Sequence, residues 1–157
     1  MISLLLRNLF FTILQPGLVA GLFPYLILGE RVKMILHEEF GLPQYFGSIL
    51  FFIGMIIMIQ TILQFAFEGK GTLSPADPTK KLVVKGLYKY SRNPMYIGVM
   101  SMLIGEAIFF EAGKFWFYVL LIGIAFNLFI LFVEEPRLRR DFEKEYESYG
   151  KTVRRWI

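Results

Sequence analysis

The sequence predicts an all-α integral membrane protein with about four transmembrane helices, the first of them kinked, and a cytoplasmic amphipathic C-terminal helix. Apolar residues make up 55% of the 157 residues, and the mean hydropathy is +0.53, which is high for a soluble domain. The apolar residues are also grouped in long blocks, whereas a soluble helical bundle shows polar residues on every second turn. The length suits a single membrane domain, residues 1–157.

Four apolar blocks approach or exceed the about 20 residues that a helix needs to cross a bilayer. They comprise residues 8–29, 40–67, 94–110 and 115–133. The first contains Pro16, Gly17 and Pro24, so we expect it to kink or break. The third is interrupted only by Glu106. We expect Glu106 near the outer interface because Glu111 lies about one turn beyond it, and a role in holding a cation or a polar ligand is the alternative.

The basic residues fall mainly on one side of these four spans. Of the 17 Lys and Arg, three lie on the other side: Arg31, Lys33 and Lys114. The remaining fourteen are Arg7, Lys70, Lys80, Lys81, Lys85, Lys89, Arg92, Arg137, Arg139, Arg140, Lys144, Lys151, Arg154 and Arg155. This bias predicts that both termini are cytoplasmic. Because the charges flank spans instead of forming one face, we expect no nucleic-acid partner.

Several kinds of site are excluded or disfavoured by the residue types present. The chain has no cysteine, so disulfides and thiolate sites are excluded. Glycine-rich nucleotide motifs, the GxSxG elbow and HExxH are absent. The one histidine, His37, lies beside Glu38 and Glu39 in the outer connection. A metal site there is an alternative, but a solvated loop is favoured, and we predict no metal.

Residues 68–96 form a polar segment between the second and third spans. Turn-forming residues extend to Pro78, and a run of tyrosines and cations then leads into the third span. This run has an ordinary interpretation as an interfacial belt, in which Asn93 caps the next helix and Pro94 occupies its first turn. At the end of the second span, Gln60, Thr61 and Gln64 either lie at headgroup level or face a cavity.

Residues 134–157 begin with two adjacent acids, Glu134 and Glu135. They either cap the following helix, whose dipole favours negative charge, or hold a cation or a polar ligand at the mouth of the bundle. The helix carries an apolar stripe at spacings of four, four and three: Leu138, Phe142, Tyr146 and Tyr149. We expect it to lie on the membrane surface or on the cytoplasmic mouth, with Gly150 as its C-terminal cap.

Two of these segments resemble one known family. Residues 86–98 (GLYKYSRNPMYIG) resemble the G-x-Y-x-x-x-R-[HN]-P-x-Y-x-G signature of the isoprenylcysteine carboxyl methyltransferase and phospholipid methyltransferase superfamily. The acidic pair and the residues that follow it, with VRRW at 153–156, resemble that family's C-terminal E-E-x-x-L…F…Y..Y…V-P-R-W block. The similarity covers roughly residues 72–156, whereas the first half matches only in its hydropathy.

The resemblance implies S-adenosyl-L-methionine as the methyl donor, bound on the cytoplasmic side by residues 68–96 and covered by the C-terminal helix and tail, 134–157. The cofactor-binding residues that it implies are Lys81, Leu82, Val83, Tyr88, Arg92, Asn93, Pro94, Tyr96, Glu134 and Glu135. Tyr96 and Glu135 are the candidates for a catalytic role, and no base is assigned. The acceptor is expected to be a lipid or a lipidated substrate from the bilayer, either an isoprenylcysteine-like carboxylate or a phospholipid amine. The oligomeric state is left undetermined.

Two departures from the family pattern disfavour a prenylcysteine acceptor. Asn93 stands where the carboxyl methyltransferases usually have His, and Asn-Pro-Met-Tyr is closer to the phospholipid branch. The arginine expected before the acidic pair is absent, and the fourth span offers only Asn127. Two other functions are kept as alternatives: a non-catalytic scaffold or transport subunit, and a membrane reductase that binds a nicotinamide cofactor.

Overall fold

The described part of the chain consists mainly of helices. The computed structural model describes residues 16–35, 37–64, 67–68 and 81–157. Within these ranges the α-helices are α1 (Phe23–Leu28), α2 (Glu30–Ile35), α3 (Leu42–Gln64), α4 (Pro94–Phe109), α5 (Phe115–Phe129) and α6 (Glu135–Thr152), and no strand occurs. The same ranges contain three short helical segments of other types. Leu18–Leu22 and Ile130–Glu134 are π-helical, and Gly86–Lys89 is a 3-10 helix. The predicted all-α class is therefore confirmed.

Parts of the sequence predictions fall outside the described residues. These parts are residues 8–15 of the first predicted span, residues 65–66 of the second, residues 69–80 of the predicted cofactor loop, and the cations Arg7, Lys70 and Lys80. The described part of the first span consists of short pieces. Ala20 has a non-helical backbone (φ −109°, ψ 17°), and α1 ends at Gly29, where φ is +52°. The kink expected from the prolines stays a prediction.

Among the described residues, two helices are long and apolar enough to cross a membrane: Leu42–Gln64 and Phe115–Thr152. The apolar part of the second ends at Val133, and its charged part starts at Glu134. Large apolar side chains on both helices are exposed, for example Ile56 and Phe117. Exposed apolar surface of this extent suits lipid rather than water. The helices Leu18–Leu28 and Pro94–Phe109 are apolar but shorter, so four spans and the orientation of the termini stay predictions.

Four glycines allow the backbones of α3 and α4 to touch. A Cβ atom built on Gly54 would lie 2.5 Å from the carbonyl oxygen of Gly98, and one built on Gly105 would lie 2.7 Å from that of Gly47. The pairs are seven residues apart on each helix, so they lie on one face, and their order makes the helices antiparallel. Close approach at small residues is a main source of helix association in membranes. The sequence analysis missed this pattern, although its spacing is visible.

Polar contacts fix the end of the bundle opposite the signature segment. The Arg31 side chain donates a hydrogen bond to the carbonyl oxygen of Phe110 (2.9 Å) and forms an ion pair with Glu38 (2.6 Å). The Gln44 amide donates to the carbonyl oxygen of Phe109 (3.0 Å). These contacts tie α2 and α3 to the end of α4. Glu38, which the sequence placed beside His37, is thus engaged within the structure.

Substituting Gly54→Ala tests the backbone contact between α3 and α4. A methyl group there requires the helices to separate, and overpacking of this kind costs about 1–3 kcal/mol. This cost exceeds the gain of at most about 1 kcal/mol from the better helix former. We expect a lower midpoint of thermal unfolding in detergent. The matched control is Gly113→Ala, because a Cβ at Gly113 meets nothing within 4 Å. Equal midpoints for the two variants would contradict the contact.

Candidate functional site

The signature segment starts with a turn that needs glycine. Gly86 has φ +55°, a left-handed conformation that is costly for other residues. A Cβ atom at Gly86 would also collide with the side chain of Gln64 at the end of α3. The 3-10 turn Gly86–Lys89 then buries Tyr88, which is 6% exposed. The turn therefore holds the signature segment against the end of α3.

The helix start predicted within the signature is confirmed, but the capping role of Asn93 is wrong. Pro94 occupies the first turn of α4, and the Asn93 side chain makes no capping hydrogen bond. The Asn93 side-chain amide donates instead to the carbonyl oxygen of Arg155 (3.0 Å). Asn93 is buried, so the bond satisfies a donor that would otherwise be costly to bury.

The C-terminal tail runs alongside the signature segment. The backbone N–H of Arg92 donates to the carbonyl oxygen of Arg154 (3.0 Å), and the Ser91 hydroxyl donates to that of Arg155 (3.2 Å). The predicted helix end at Gly150 is wrong, because α6 continues to Thr152.

Glu135 joins the tail to the signature segment through two arginines. Nε of Arg155 lies 2.7 Å from Oε1, and Nη2 lies 3.0 Å from Oε2. Nη1 of Arg92 lies 3.3 Å from Oε1. Bidentate pairing of this kind is among the stronger polar contacts in proteins. Burial alone would raise the pKa of the Glu135 carboxyl, but the Arg155 hydrogen bonds and the charges of Arg92, Arg155 and Arg139 hold that pKa below its ordinary value.

Glu134 has different partners from its neighbour. The Tyr96 hydroxyl donates to Oε2 of Glu134 (2.8 Å), and the Tyr96 ring meets Phe126 of α5 edge to face, with centroids 4.8 Å apart. Burial raises the pKa of the Glu134 carboxyl; the Tyr96 hydrogen bond and the Arg137 guanidinium oppose the rise, and Glu135 adds to it. Glu134 precedes α6 but makes no side-chain capping bond. The pKa values of the two adjacent carboxyl groups are therefore shifted in opposite directions.

Helix α6 lies on the signature segment. Tyr146 and Tyr149 of its apolar stripe are buried. The Tyr149 hydroxyl donates to the carbonyl oxygen of Tyr88 (2.6 Å). Nη1 of Arg92 donates to the Tyr146 hydroxyl (3.1 Å), and the guanidinium carbon lies 5.8 Å from the Tyr146 ring centre. A non-helical residue, Glu143 (φ 40°, ψ −117°), divides α6.

The other sequence-predicted site residues vary in exposure. Lys81 is exposed, Leu82 is half-buried, and Val83 and Pro94 are buried. Of the polar residues at the end of the second span, Gln60 is exposed, and Thr61 donates to the carbonyl oxygen of Met58 within its own helix (2.7 Å).

Further residues of the site were not selected from the sequence. They are Ser91, Phe126, Arg137, Tyr146, Tyr149 and Arg155. The tail motif at 153–156 was the available signal for Arg155.

Three buried polar atoms near these contacts have no hydrogen-bond partner among the described residues. They are Oε1 of Gln64, Nε of Arg92 and Nε of Arg137. Buried polar groups are almost always satisfied in native proteins, so these atoms are places where a bound polar molecule would be stabilised. Two guanidinium donors suit a carboxylate or a phosphate. The amide oxygen of Gln64 suits a donor such as an ammonium or an amino group.

Comparison with known proteins identifies one family. The family model for phospholipid methyltransferase matches residues 45–145. The match includes nearly all of α3, the signature segment, α4, α5 and the acidic pair. No curated protein and no solved structure matches the chain significantly.

The contact between Glu135 and Arg155 predicts a specific loss of stability in acid. Because the pKa of Glu135 is lowered by folding, its contribution to stability is complete above the ordinary glutamate pKa of about 4.3. The contribution is lost as the pH falls through the lower pKa of the folded state. We expect wild type to unfold at a higher temperature than Glu135→Gln near neutral pH, and this difference to shrink below about pH 4.

The exposed residue Glu145 provides the control for this measurement. Glu145→Gln should unfold like wild type over the whole pH range, since surface substitutions away from such contacts usually change stability by less than about 0.5 kcal/mol. A difference between wild type and Glu135→Gln that is the same at pH 3 and pH 7 would contradict the role given to the ionised carboxylate.

Proposed function

Because the chain belongs to the phospholipid methyltransferase family, we propose that it transfers a methyl group from S-adenosylmethionine to a lipid at the cytoplasmic mouth of its helices. The observation that carries the proposal is the hydrogen bond between Tyr96 of the signature and Glu134 of the acidic pair (2.8 Å). This bond joins, across 38 residues of sequence, the two motifs on which the resemblance rests. The family is membrane-associated, which agrees with the two long apolar helices.

The residues around this contact fit the chemical groups of S-adenosylmethionine. Its carboxylate needs cationic or N–H donors, and Arg92 and Arg137 each retain a buried Nε without a partner among the described residues. Its ammonium and sulfonium groups need oxygen acceptors, which Glu134 and the side-chain oxygen of Gln64 provide. Its adenine needs apolar or aromatic neighbours, and the buried Val83 and Tyr88 are of that kind. We propose these residues as the binding set, together with the backbone of Lys81 and Leu82.

When bound, S-adenosylmethionine supplies an activated methyl carbon, which the acceptor takes as the carbon–sulfur bond breaks and a neutral thioether leaves. The remaining tasks of the protein are to position the acceptor and to exclude water. Tyr149 of α6 is buried against Tyr88 of the signature segment, which serves the second task. An amine acceptor also loses a proton, and a nearby carboxylate is a suitable base.

The different partners of the two acids favour Glu134 as this proton acceptor. Both oxygens of Glu135 are held by Arg155, and its pKa is lowered, so Glu135 is a poor base and acts as a structural anchor. Burial raises the pKa of Glu134, and a higher pKa makes a carboxylate a better base near neutral pH. The Tyr96 hydroxyl donates a hydrogen bond to Glu134, so Tyr96 acts as a positioning residue. The absence of an arginine before the acids supports an amine rather than a carboxylate as the acceptor.

Binding of S-adenosylhomocysteine, the demethylated product, tests the cofactor assignment. We expect it to bind the purified protein and to raise its unfolding temperature, since a ligand of the native state stabilises it. Arg92→Ala should weaken binding about tenfold or more, because charge-assisted hydrogen bonds contribute about 1.5–3 kcal/mol. Titration calorimetry measures both affinities. The control is Lys89→Ala, which removes an exposed cation from the same segment. If wild type does not bind, S-adenosylmethionine dependence is refuted.

Glu134→Gln tests the assignment of the base. The amide keeps the size of the side chain but accepts protons poorly, so we expect transfer of labelled methyl groups to phosphatidylethanolamine to fall about 100-fold or more. Affinity for S-adenosylhomocysteine should fall less than the rate, because the amide keeps an oxygen acceptor for the ammonium group of the ligand. Glu147→Gln, an exposed acid on α6, serves as the matched control. A rate for Glu134→Gln equal to that of wild type would exclude Glu134 as the proton acceptor.

A further inference from the structure

An apolar groove lies between α4 and α5. Its volume is about 430 Å³, and it is lined by Met100, Ile104, Trp116, Val119, Leu120, Gly123, Ile124, Asn127 and Leu128. Asn127 is the one polar side chain among these lining residues. Trp116, Leu120 and Ile124 are also exposed, so the groove opens sideways, toward the space that the hydrocarbon of a bilayer would fill.

One end of the groove leads to the contact between Tyr96 and Glu134. Tyr96, Met100 and Ile104 are four residues apart and therefore lie on one face of α4. Met100 and Ile104 line the groove, and Tyr96 is the next residue of that face toward the start of the helix. On α5, Asn127 lines the groove, and its neighbour Phe126 touches the Tyr96 ring at a centroid distance of 4.8 Å. The groove therefore ends about one helical turn from Tyr96 of the candidate site.

We propose that this groove binds one hydrocarbon chain of the acceptor lipid and so places the headgroup at Tyr96 and Glu134. The proposal rests on the proposed function for the identity of the site. The chain would lie from Trp116 toward Asn127, which are eleven residues apart and separated by about 16 Å along the helix. Asn127 is the point at which the lining changes from apolar to polar, where an ester or glycerol oxygen would find a hydrogen-bond donor.

Gly123 is the residue that keeps the groove open on α5. A Cβ atom there would meet only the flexible end of Met100, 3.3 Å away, so a larger side chain would extend into the groove without colliding with backbone. Gly123→Leu should therefore fill the groove. Ala125→Leu adds the same side chain two residues along the same helix, at an exposed position that does not line the groove. Both variants place a leucine on α5, one inside the groove and one outside it.

Fluorescence quenching of Trp116 measures occupancy of the groove without relying on activity. Trp156→Phe makes Trp116 the only tryptophan of the full chain. The protein is placed in phosphatidylcholine vesicles that contain a small fraction of phosphatidylethanolamine brominated on its acyl chains. We expect quenching to exceed that given by the same fraction of brominated phosphatidylcholine, because only the amine headgroup is also bound at the site. In Gly123→Leu this preference should disappear, and in Ala125→Leu it should remain.

The KM for methyl transfer is a second measurement on the same variants. Gly123→Leu should raise the KM for a long-chain phosphatidylethanolamine about tenfold, since displacing two methylene groups corresponds to about that factor. The KM for a six-carbon-chain analogue should stay within about twofold of wild type. If Gly123→Leu fails to fold, Leu120→Phe places bulk in the same groove from a neighbouring turn.

Three outcomes decide between the proposals. Preferential quenching that is lost in Gly123→Leu and kept in Ala125→Leu supports the chain-binding groove. Equal quenching by the two brominated lipids in wild type, or unchanged preference in Gly123→Leu, overturns it. Binding of S-adenosylhomocysteine is measured on the same samples: its absence in wild type refutes the proposed function, while the quenching result still decides whether the groove binds a lipid chain.

Discussion

The backbone contact between α3 and α4 sets the positions of most other parts of the structure. Glycines seven residues apart on both helices, Gly47 with Gly54 and Gly98 with Gly105, leave one antiparallel register in which neither helix collides with the other. That register brings the end of α3 to the turn at Gly86, where Gln64 packs. In a bilayer, where apolar surface gives helices little reason to associate, such close packing is a principal source of affinity.

The two adjacent acids, Glu134 and Glu135, differ in their partners. Residues 130–134 form a π-helical turn that continues α5 into α6 without a break, so a single helix carries an apolar span and then two carboxylates. Glu135 meets Arg92 and Arg155 and stays ionised, which fastens the tail to the signature segment. Glu134 meets a tyrosine instead, and burial raises its pKa. Neighbouring residues of one type thereby have different partners, two arginines for Glu135 and a tyrosine for Glu134.

The same arrangement brings a polar site to the edge of an apolar surface. A methyltransferase with a lipid acceptor must bring a water-soluble donor and a membrane-bound acceptor to one point. Here the signature segment, α6 and the tail surround the polar contacts with buried tyrosines, while α4 and α5 present apolar side chains along the groove. Tyr96 belongs to both regions, since its ring meets Phe126 and its hydroxyl meets Glu134.

The sequence by itself determined the all-α class, the apolar blocks and the resemblance to the family whose model matches residues 45–145. These features depend on composition, local order and short spacing, which are readable along one chain. It did not determine that Asn93 bonds to Arg155 instead of capping α4, that α6 passes Gly150, or that two adjacent glutamates differ in character. Only the tertiary structure decided these points, because each depends on which distant side chain lies within about 3 Å, and no local pattern specifies that partner.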